Sequence, residues 1–376
     1  MIPYTDQQRM LADAAKQFAD REHTPVRLRA CRDRHPDFDR RVWTSIASLG
    51  WLGVLVPEDD GGLGAGFSDM AQLVYAWGRA CAPEPLVAGG VLAGRTVVHA
   101  DGPARSRLIE GLIDGSSIPA LAAHNGDTLA AAPPEIHASP DGDGYRLSGS
   151  ARYAVPAHAD GFIAAATSGS GTQLFWVPAR APGLSIAQER RADGSFAAHL
   201  SLDRVRVAGG DVVASAMVAD AAIARATDEA LVLCAVEMAG MMRAMLDLTF
   251  EYLRTRVQFG KPIGSFQALQ HRSVDLYVAE QLARDVAQAA CVALDGNLEA
   301  GARSLAASRA KARACESLGS IAREAVQLHG AIGFTDEYAL GAYVNRALVL
   351  SAWLGNAGAH RARYARLAPP LEVLSA

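Results

Sequence analysis

An α+β fold, mainly helical, is what this chain predicts: an N-terminal helical domain, a middle domain of antiparallel strands and a C-terminal four-helix bundle. Two observations carry that reading. Apolar residues recur at helical spacing up to about residue 115 and again from about 221 onward, while the stretch between is made of short apolar runs broken by glycine. The helical and strand-like blocks are also segregated, which argues against an alternating βαβ sheet. The expected domains are therefore 1–115, 116–220 and 221–376.

The elements follow in order. Leu11, Ala14, Ala15 and Phe18 share one helix face, and Trp43, Ile46 and Ala47 a second. Gly50, Pro57 and the run Gly61-Gly62-Leu63-Gly64 punctuate these helices, and a further helix near 68–80 must end before Pro83 and Pro85. Asp141-Gly142-Asp143-Gly144 is a turn. The runs at 145–148, 162–164, 174–177 and 199–202 read as antiparallel strands. Long segments at 226–255, 266–295, 301–328 and 337–365 read as the bundle helices, the last three rich in alanine, a strong helix former. Thr227, Asp228 and Glu229 look like a helix start with acids in its first turn.

Composition narrows the function. The chain has 376 residues, half of them apolar, enough core for two or three domains. A net charge of −4 and a pI of about 6.2 lack the basic footprint of a nucleic-acid binder. Cys31, Cys81, Cys234, Cys291 and Cys315 show no CxxC and no metal spacing, so no metal site is expected and the thiols read as reduced. Asp6 and Asp13 sit inside the apolar spacing of the N-terminus, which marks an amphipathic helix and no signal peptide. Apolar stretches are broken by charge well before the length of a membrane span. A soluble, cytoplasmic protein is expected.

Two segments carry chemistry. The first runs Arg256-Val257-Gln258-Phe259-Gly260-Lys261-Pro262-Ile263-Gly264-Ser265-Phe266-Gln267, at the end of a long helix that Gly260 and Pro262 terminate. A guanidinium there can make bidentate bonds to a pyrophosphate. The second runs Gln327-Leu328-His329-Gly330-Ala331-Ile332-Gly333-Phe334-Thr335-Asp336-Glu337-Tyr338, where Gly330 and Gly333 let backbone approach a ligand closely. Taken singly, each also fits a solvated helix end with a glycine cap.

Together, at this separation, the two segments resemble the signatures of the acyl-CoA dehydrogenase family. Leu49-Gly50-Trp51, Val56-Pro57-Glu58, Gly61-Gly62-Leu63-Gly64 and Gly78-Arg79 support the resemblance, which runs from about residue 5 to 365. Where the family more often has two adjacent glycines, this chain has Gly330-Ala331. The resemblance implies FAD as cofactor, an acyl-CoA thioester as substrate and an electron-transfer flavoprotein as redox partner. In the family these motifs cross a subunit interface and hold the adenosine and pyrophosphate half of the neighbour's FAD. Carried over, that assigns Arg256, Gln258, Phe259, Phe266, Gln267, Gln327, Leu328, Gly330 and Ala331 to the cofactor.

The resemblance also shows what is lost. The family removes an α-proton with a carboxylate, usually a glutamate late in the chain, and that place is Leu354; the minority place, before the arginine motif, is Ala230. Neither side chain can take a proton. The strand that faces the flavin ring aligns with 149–156, where Tyr153 can still stack but Val155 has no hydroxyl. The segment that covers the ring is also missing; 121–126 stands near its place. Glu237 is the remaining acid to weigh. It follows Ala230 by seven residues on the same helix face, about 10.5 Å further along, within an apolar run that would favour its neutral form. It reads either as a catalytic base or as a buried structural acid paired with an arginine. His271 and His329 lack a nucleophile or metal partner and read as structural or interface residues.

Three readings stand. The retained motifs serve a neighbour's flavin and the lost ones serve the chain's own, which resembles the base-lacking subunits of heteromeric, steroid-type acyl-CoA dehydrogenases. On that reading the working unit is a heterotetramer with a second, complete dehydrogenase subunit. The second is a self-sufficient homo-oligomeric enzyme with Glu237 as base. The third is a divergent, non-enzymatic relative, such as one that binds DNA, against which the acidic balance argues.

Overall fold

The computed structural model describes residues 4–23, 25–33, 36–123, 135–335 and 337–368. Six helices come first: α1 (Asp6–Glu22), α2 (Pro25–Arg32), α3 (Arg40–Ser48), α4 (Phe67–Arg79), α5 (Gly94–Val98) and α6 (Arg105–Ile113). Thr5 caps α1 in a capping box with Gln8, and the apolar face seen in the sequence buries Ala15 and Phe18. Between α4 and α5 lies a π-helical turn, Leu86–Ala93, which the proline-flanked sequence did not announce.

Strands β1 (Pro119–Ala122), β2 (Glu135–Asp141), β3 (Gly144–Ala154), β4 (Gly161–Ser168), β5 (Gly171–Pro178), β6 (Leu184–Arg190), β7 (Phe196–Ala208) and β8 (Val212–Ala214) follow. Their sheet order is β6-β7-β3-β2-β4-β5-β8, with β1 on β4. All four expected runs are strands, and the turn at Gly142-Asp143 joins β2 to β3. The sheet is mixed rather than purely antiparallel, because β1 and β2 each meet β4 in parallel. β1, β2 and β6 were not legible: β1 is four buried residues, and β2 and β6 are largely polar strands.

The C-terminal part holds α7 (Ala219–Thr255), α8 (Gln267–Asp295), α9 (Ala300–His329), α10 (Leu340–Ala352) and α11 (Ala357–Leu367), with a small hairpin, β9 (Val257–Gln258) and β10 (Lys261–Pro262), between α7 and α8. Two expectations are corrected. α7 starts at Ala219, so Asp228 and Glu229 lie in its interior, not in its first turn. The expected last helix is two helices, because Leu354 (φ 57°) and Gly355 (φ 100°) turn the chain between α10 and α11. α4 and α7 cross in backbone contact: a Cβ on Gly78 would fall 2.0 Å from the Glu237 carbonyl oxygen, and one on Gly240 would fall 2.2 Å from that of Tyr75. This crossing fixes the depth at which Glu237 sits.

Candidate functional site

The first motif folds into an open projection. Arg256 caps α7, and the chain reverses through Phe259 (φ 54°) and Gly260 (φ 79°), two consecutive positive φ values of the kind a tight two-residue hairpin turn requires. Phe259 stands 90% exposed, with its ring edge-on to Phe266 at 6.2 Å. Lys261 places its ammonium 4.3 Å from the Phe266 ring centroid. Arg256, Gln258 and Gln267 are exposed, so a guanidinium, an ammonium and amides are offered outward beside an aromatic face. Such a surface can grip a phosphate and stack on a planar base.

The second motif ends α9. Gly330 adopts φ 64° and ψ −140°, a region reserved for glycine, with nothing within 4 Å of where a Cβ would stand. Gln327, Gly330 and Ala331 are exposed. Leu328 differs from these: its side chain is 6% exposed and packs into the chain's own core, because it shares the inner face of α9 with Ala325 and Ile321. His329 is structural, as expected. It is buried, bonded to the Ala325 carbonyl at 2.7 Å and to Tyr338 Oη at 3.1 Å, and stacked on Tyr252.

Val155 and Pro156, in the stretch that aligns with the flavin-facing strand, meet Phe196, Glu237, Leu350 and Trp353 around a small space of about 30 Å³, room for a water or two. Tyr153 does not line this space; it has φ 61° and meets His199 edge-on at 5.1 Å. Ala230 is fully buried and Leu354 is 8% exposed. Glu237 is not surrounded by apolar groups alone: its Oε1 accepts from Arg346 Nη2 at 2.8 Å and Nε at 3.2 Å. Arg346 Nη1 donates to Asp193 at 2.9 Å, so one buried guanidinium ties α7, α10 and the β6–β7 turn together. Burial pushes the Asp193 pKa up, but Arg346, Arg191 and the Ser195 hydroxyl outweigh it and hold the carboxyl below its ordinary value. Of the expected cover segment, residues 124–126 lie outside the described residues, as does Asp336 of the second motif.

The loop that holds Leu354 is nevertheless tightly built. Lys311, fully buried, donates to the carbonyls of Leu350 at 2.6 Å and Trp353 at 2.8 Å, capping the last turn of α10. His360 donates to the Leu354 carbonyl at 3.1 Å, and burial holds its pKa down at about 3. Asp228 and Glu229 point to opposite sides of α7. Asp228 meets Arg363 at 2.7 Å and Ser304 at 2.6 Å, while Glu229 meets Arg95 at 2.7 Å and His99 at 3.0 Å. Both are structural anchors. Sequence reasoning missed Arg346, Asp193 and Lys311, which sit on unremarkable helical or turn positions and gain meaning only from their distant partners. No group of histidine, cysteine and acidic side chains that could hold a metal occurs among the described residues.

Residues 5–115 match the model of the acyl-CoA dehydrogenase N-terminal domain, and residues 219–368 that of the acyl-CoA dehydrogenase C-terminal domain. The acyl-CoA dehydrogenase IpdE2 of Mycobacterium tuberculosis is 32% identical over 343 residues, 91% of each chain. Among solved structures, a Tcur3481–Tcur3483 steroid ACAD superposes with a TM-score of 0.84 at 32% identity, over 96% of this chain and 97% of that one. The ChsE4–ChsE5 complex from Mycobacterium tuberculosis does so with a TM-score of 0.86 at 26% identity, over 97% of each chain.

Proposed function

The chain belongs to the acyl-CoA dehydrogenase family, and from that premise we propose that it is the cofactor-completing, base-lacking subunit of a heterotetramer that dehydrogenates an acyl-CoA thioester across its α and β carbons. One observation carries the proposal: the surface that would serve a neighbour's FAD is exposed and polar, while the chain's own base positions hold leucine and alanine, Leu354 and Ala230, both buried. The residues therefore fit one half of FAD and not the other. Arg256 would hold the pyrophosphate of a flavin seated mainly in the partner, with Phe259, Gln327 and Gly330 against its adenosine half. FAD, when bound there, supplies the hydride acceptor. Proton abstraction falls to the partner's base, and no step is routed through this chain's ring side.

Other features support the assembly. Val274, Tyr277, Val278 and Leu282 form an exposed apolar stripe on one face of α8, of the kind that a neighbouring chain buries. Two of the structural relatives are described as a complex and a steroid ACAD, which supports a partner subunit and a bulky acyl group. An electron-transfer flavoprotein would then take the electrons from the partner's flavin. None of the five cysteines forms a disulfide, which suits the reducing cytoplasm. No helix among the described residues is long and apolar enough to cross a membrane. The ion pair with Arg346 favours a structural Glu237 over a catalytic one.

Co-purification with a base-bearing family member tests the proposal by flavin absorbance. The expected result is a tetramer with two FAD, turning over acyl-CoA, and little flavin on this chain alone. A homotetramer of this chain carrying four FAD and turning over at roughly 1–10³ per second overturns it.

A further inference from the structure

The two segments that would hold a neighbour's FAD meet at one joint of three rings. Tyr252 lies one helical turn before Arg256, whose backbone N–H donates to the Tyr252 carbonyl at 2.9 Å. His329 is the last residue of α9 and immediately precedes Gly330. The Tyr252 and His329 rings stack, with centroids 4.7 Å apart and planes 28° from parallel. Tyr338, which leads into α10, meets the same imidazole at 5.0 Å and 53°. His329 contacts both tyrosines and is 3% exposed. Gly333 adds a further contact. A Cβ there would fall 3.1 Å from the His329 Cβ and 3.2 Å from the Val326 carbonyl oxygen, so the turn after α9 folds back onto the histidine.

The imidazole chemistry fits a fixed joint. Burial holds the His329 pKa below its ordinary value, against the pull of the Ala325 and Leu248 carbonyls, so the ring is neutral. A neutral imidazole has one donor and one acceptor. The Ala325 carbonyl, 2.7 Å from Nδ1, can only accept, so Nδ1 donates to it and Nε2 accepts from Tyr338 Oη at 3.1 Å. The hairpin beyond Arg256 cannot supply this order itself. It pairs at two positions, Lys261 with Gln258 and Pro262 with Val257, and so short a ladder is marginal alone. Two segments that grip one ligand bind it more tightly when their spacing is set beforehand, because ordering on binding subtracts from affinity.

We propose that His329 is a positioning residue: through its stack with Tyr252 and its bond from Tyr338 it sets the spacing of the Arg256 and Gly330 segments, so that one FAD can span both. This rests on the partner-FAD reading above, and equilibrium dialysis of FAD with the heteromer tests the two separately. Tyr252→Leu removes the stack and leaves Arg256, Gln327 and Gly330 in the chain. FAD affinity should fall about tenfold, as far as Arg256→Ala takes it, because a displaced guanidinium loses the same charge-assisted contact. Tyr252→Phe keeps the ring and should bind as the native protein does. The Tyr252→Leu, Arg256→Ala double variant should lose far less than the product of about a hundredfold, because both changes remove one interaction, whereas a merely structural loss would add in full. Tyr338→Leu, across the imidazole, repeats the test where Tyr252→Leu fails to fold. Native affinity in a folded leucine variant, or the full product in the double variant, overturns the proposal and leaves the FAD reading standing. Native affinity in Arg256→Ala overturns the FAD reading and the proposal with it.

Discussion

Replacing Arg346 by methionine separates a structural Glu237 from a catalytic one. The guanidinium holds two carboxylates whose side chains are 4% and 8% exposed, Glu237 and Asp193. Methionine fills similar volume but leaves both acids without their counter-charge, and breaking a buried pair in this way costs about 3–5 kcal/mol. Glu237→Gln is milder: the amide oxygen still accepts from Arg346, and a charge-assisted bond becomes a neutral one for about 1–2 kcal/mol. At about 2.1 cal/mol/K per residue, unfolding 376 residues carries an entropy of about 0.8 kcal/mol/K, so the melting temperature should fall by about 4–6 °C for Arg346→Met and about 1–2 °C for Glu237→Gln. Differential scanning calorimetry reads both. In the assembled enzyme, Glu237→Gln should leave acyl-CoA turnover near the native level. If that variant keeps its flavin and its melting temperature yet loses flavin reduction, the carboxylate is the base and the ion-pair reasoning fails.

Three further outcomes follow from the same geometry. Arg256→Ala should lower FAD affinity of the heteromer about tenfold or more, the effect of one charge-assisted contact; equilibrium dialysis showing unchanged affinity would remove Arg256 from the cofactor. Leu354→Glu alone should not give this chain turnover, because Val155 still has no hydroxyl to offer the flavin ring, and a variant that reduces flavin without a partner would show that only the base was missing. Acid should destabilise the fold in two stages. Burial holds His23 and His360 neutral, with pKa near 3 against 6.5 when unfolded, so each withdraws stability as pH falls from about 6.5 toward 3. Burial pushes Glu229 up, but bonds from His99 and Arg95 hold it at about 2 against 4.5 unfolded. Its contribution, on the order of 3 kcal/mol, is present above pH 4.5 and lost between 4.5 and 2. A melting temperature constant from pH 7 to 3 would contradict both.

Much of the fold was legible because it rests on local periodicity. The apolar faces of α1, α3 and α4 and the alanine-rich α8 and α9 repeat at helical spacing, so their positions followed from sequence. The hairpin after Arg256 was not, since two-residue strands carry no period and Phe259 at positive φ violates the usual preference for glycine or asparagine there. The exposed surface proposed to hold a neighbour's FAD could be picked out for a different reason: its members lie in two contiguous segments, 256–267 and 327–338. The ring side shows the converse. That Leu354 and Ala230 cannot take a proton is written in the residues themselves. That Arg346 answers Glu237 is not, because 109 positions separate them and only the α4–α7 crossing and the place of α10 bring them together.

The contacts around Leu354 and Glu237 are spread over several elements, and that bears on how a chain without a base at 354 keeps its fold. Lys311 and His360 still hold the 353–355 loop through its carbonyls, and neither bond depends on the side chain at 354. Leucine there gains burial, at 8% exposure, worth about 1.5–3 kcal/mol for a side chain of that size, where a carboxylate in the same place would need a partner. The Arg346 bridge adds a second tie between α7, α10 and the sheet. None of these contacts reaches the hairpin after α7 or the glycine turn after α9. On the proposed role, the two exposed segments could serve a neighbour without drawing on the contacts that stabilise the 353–355 loop and the Arg346 bridge.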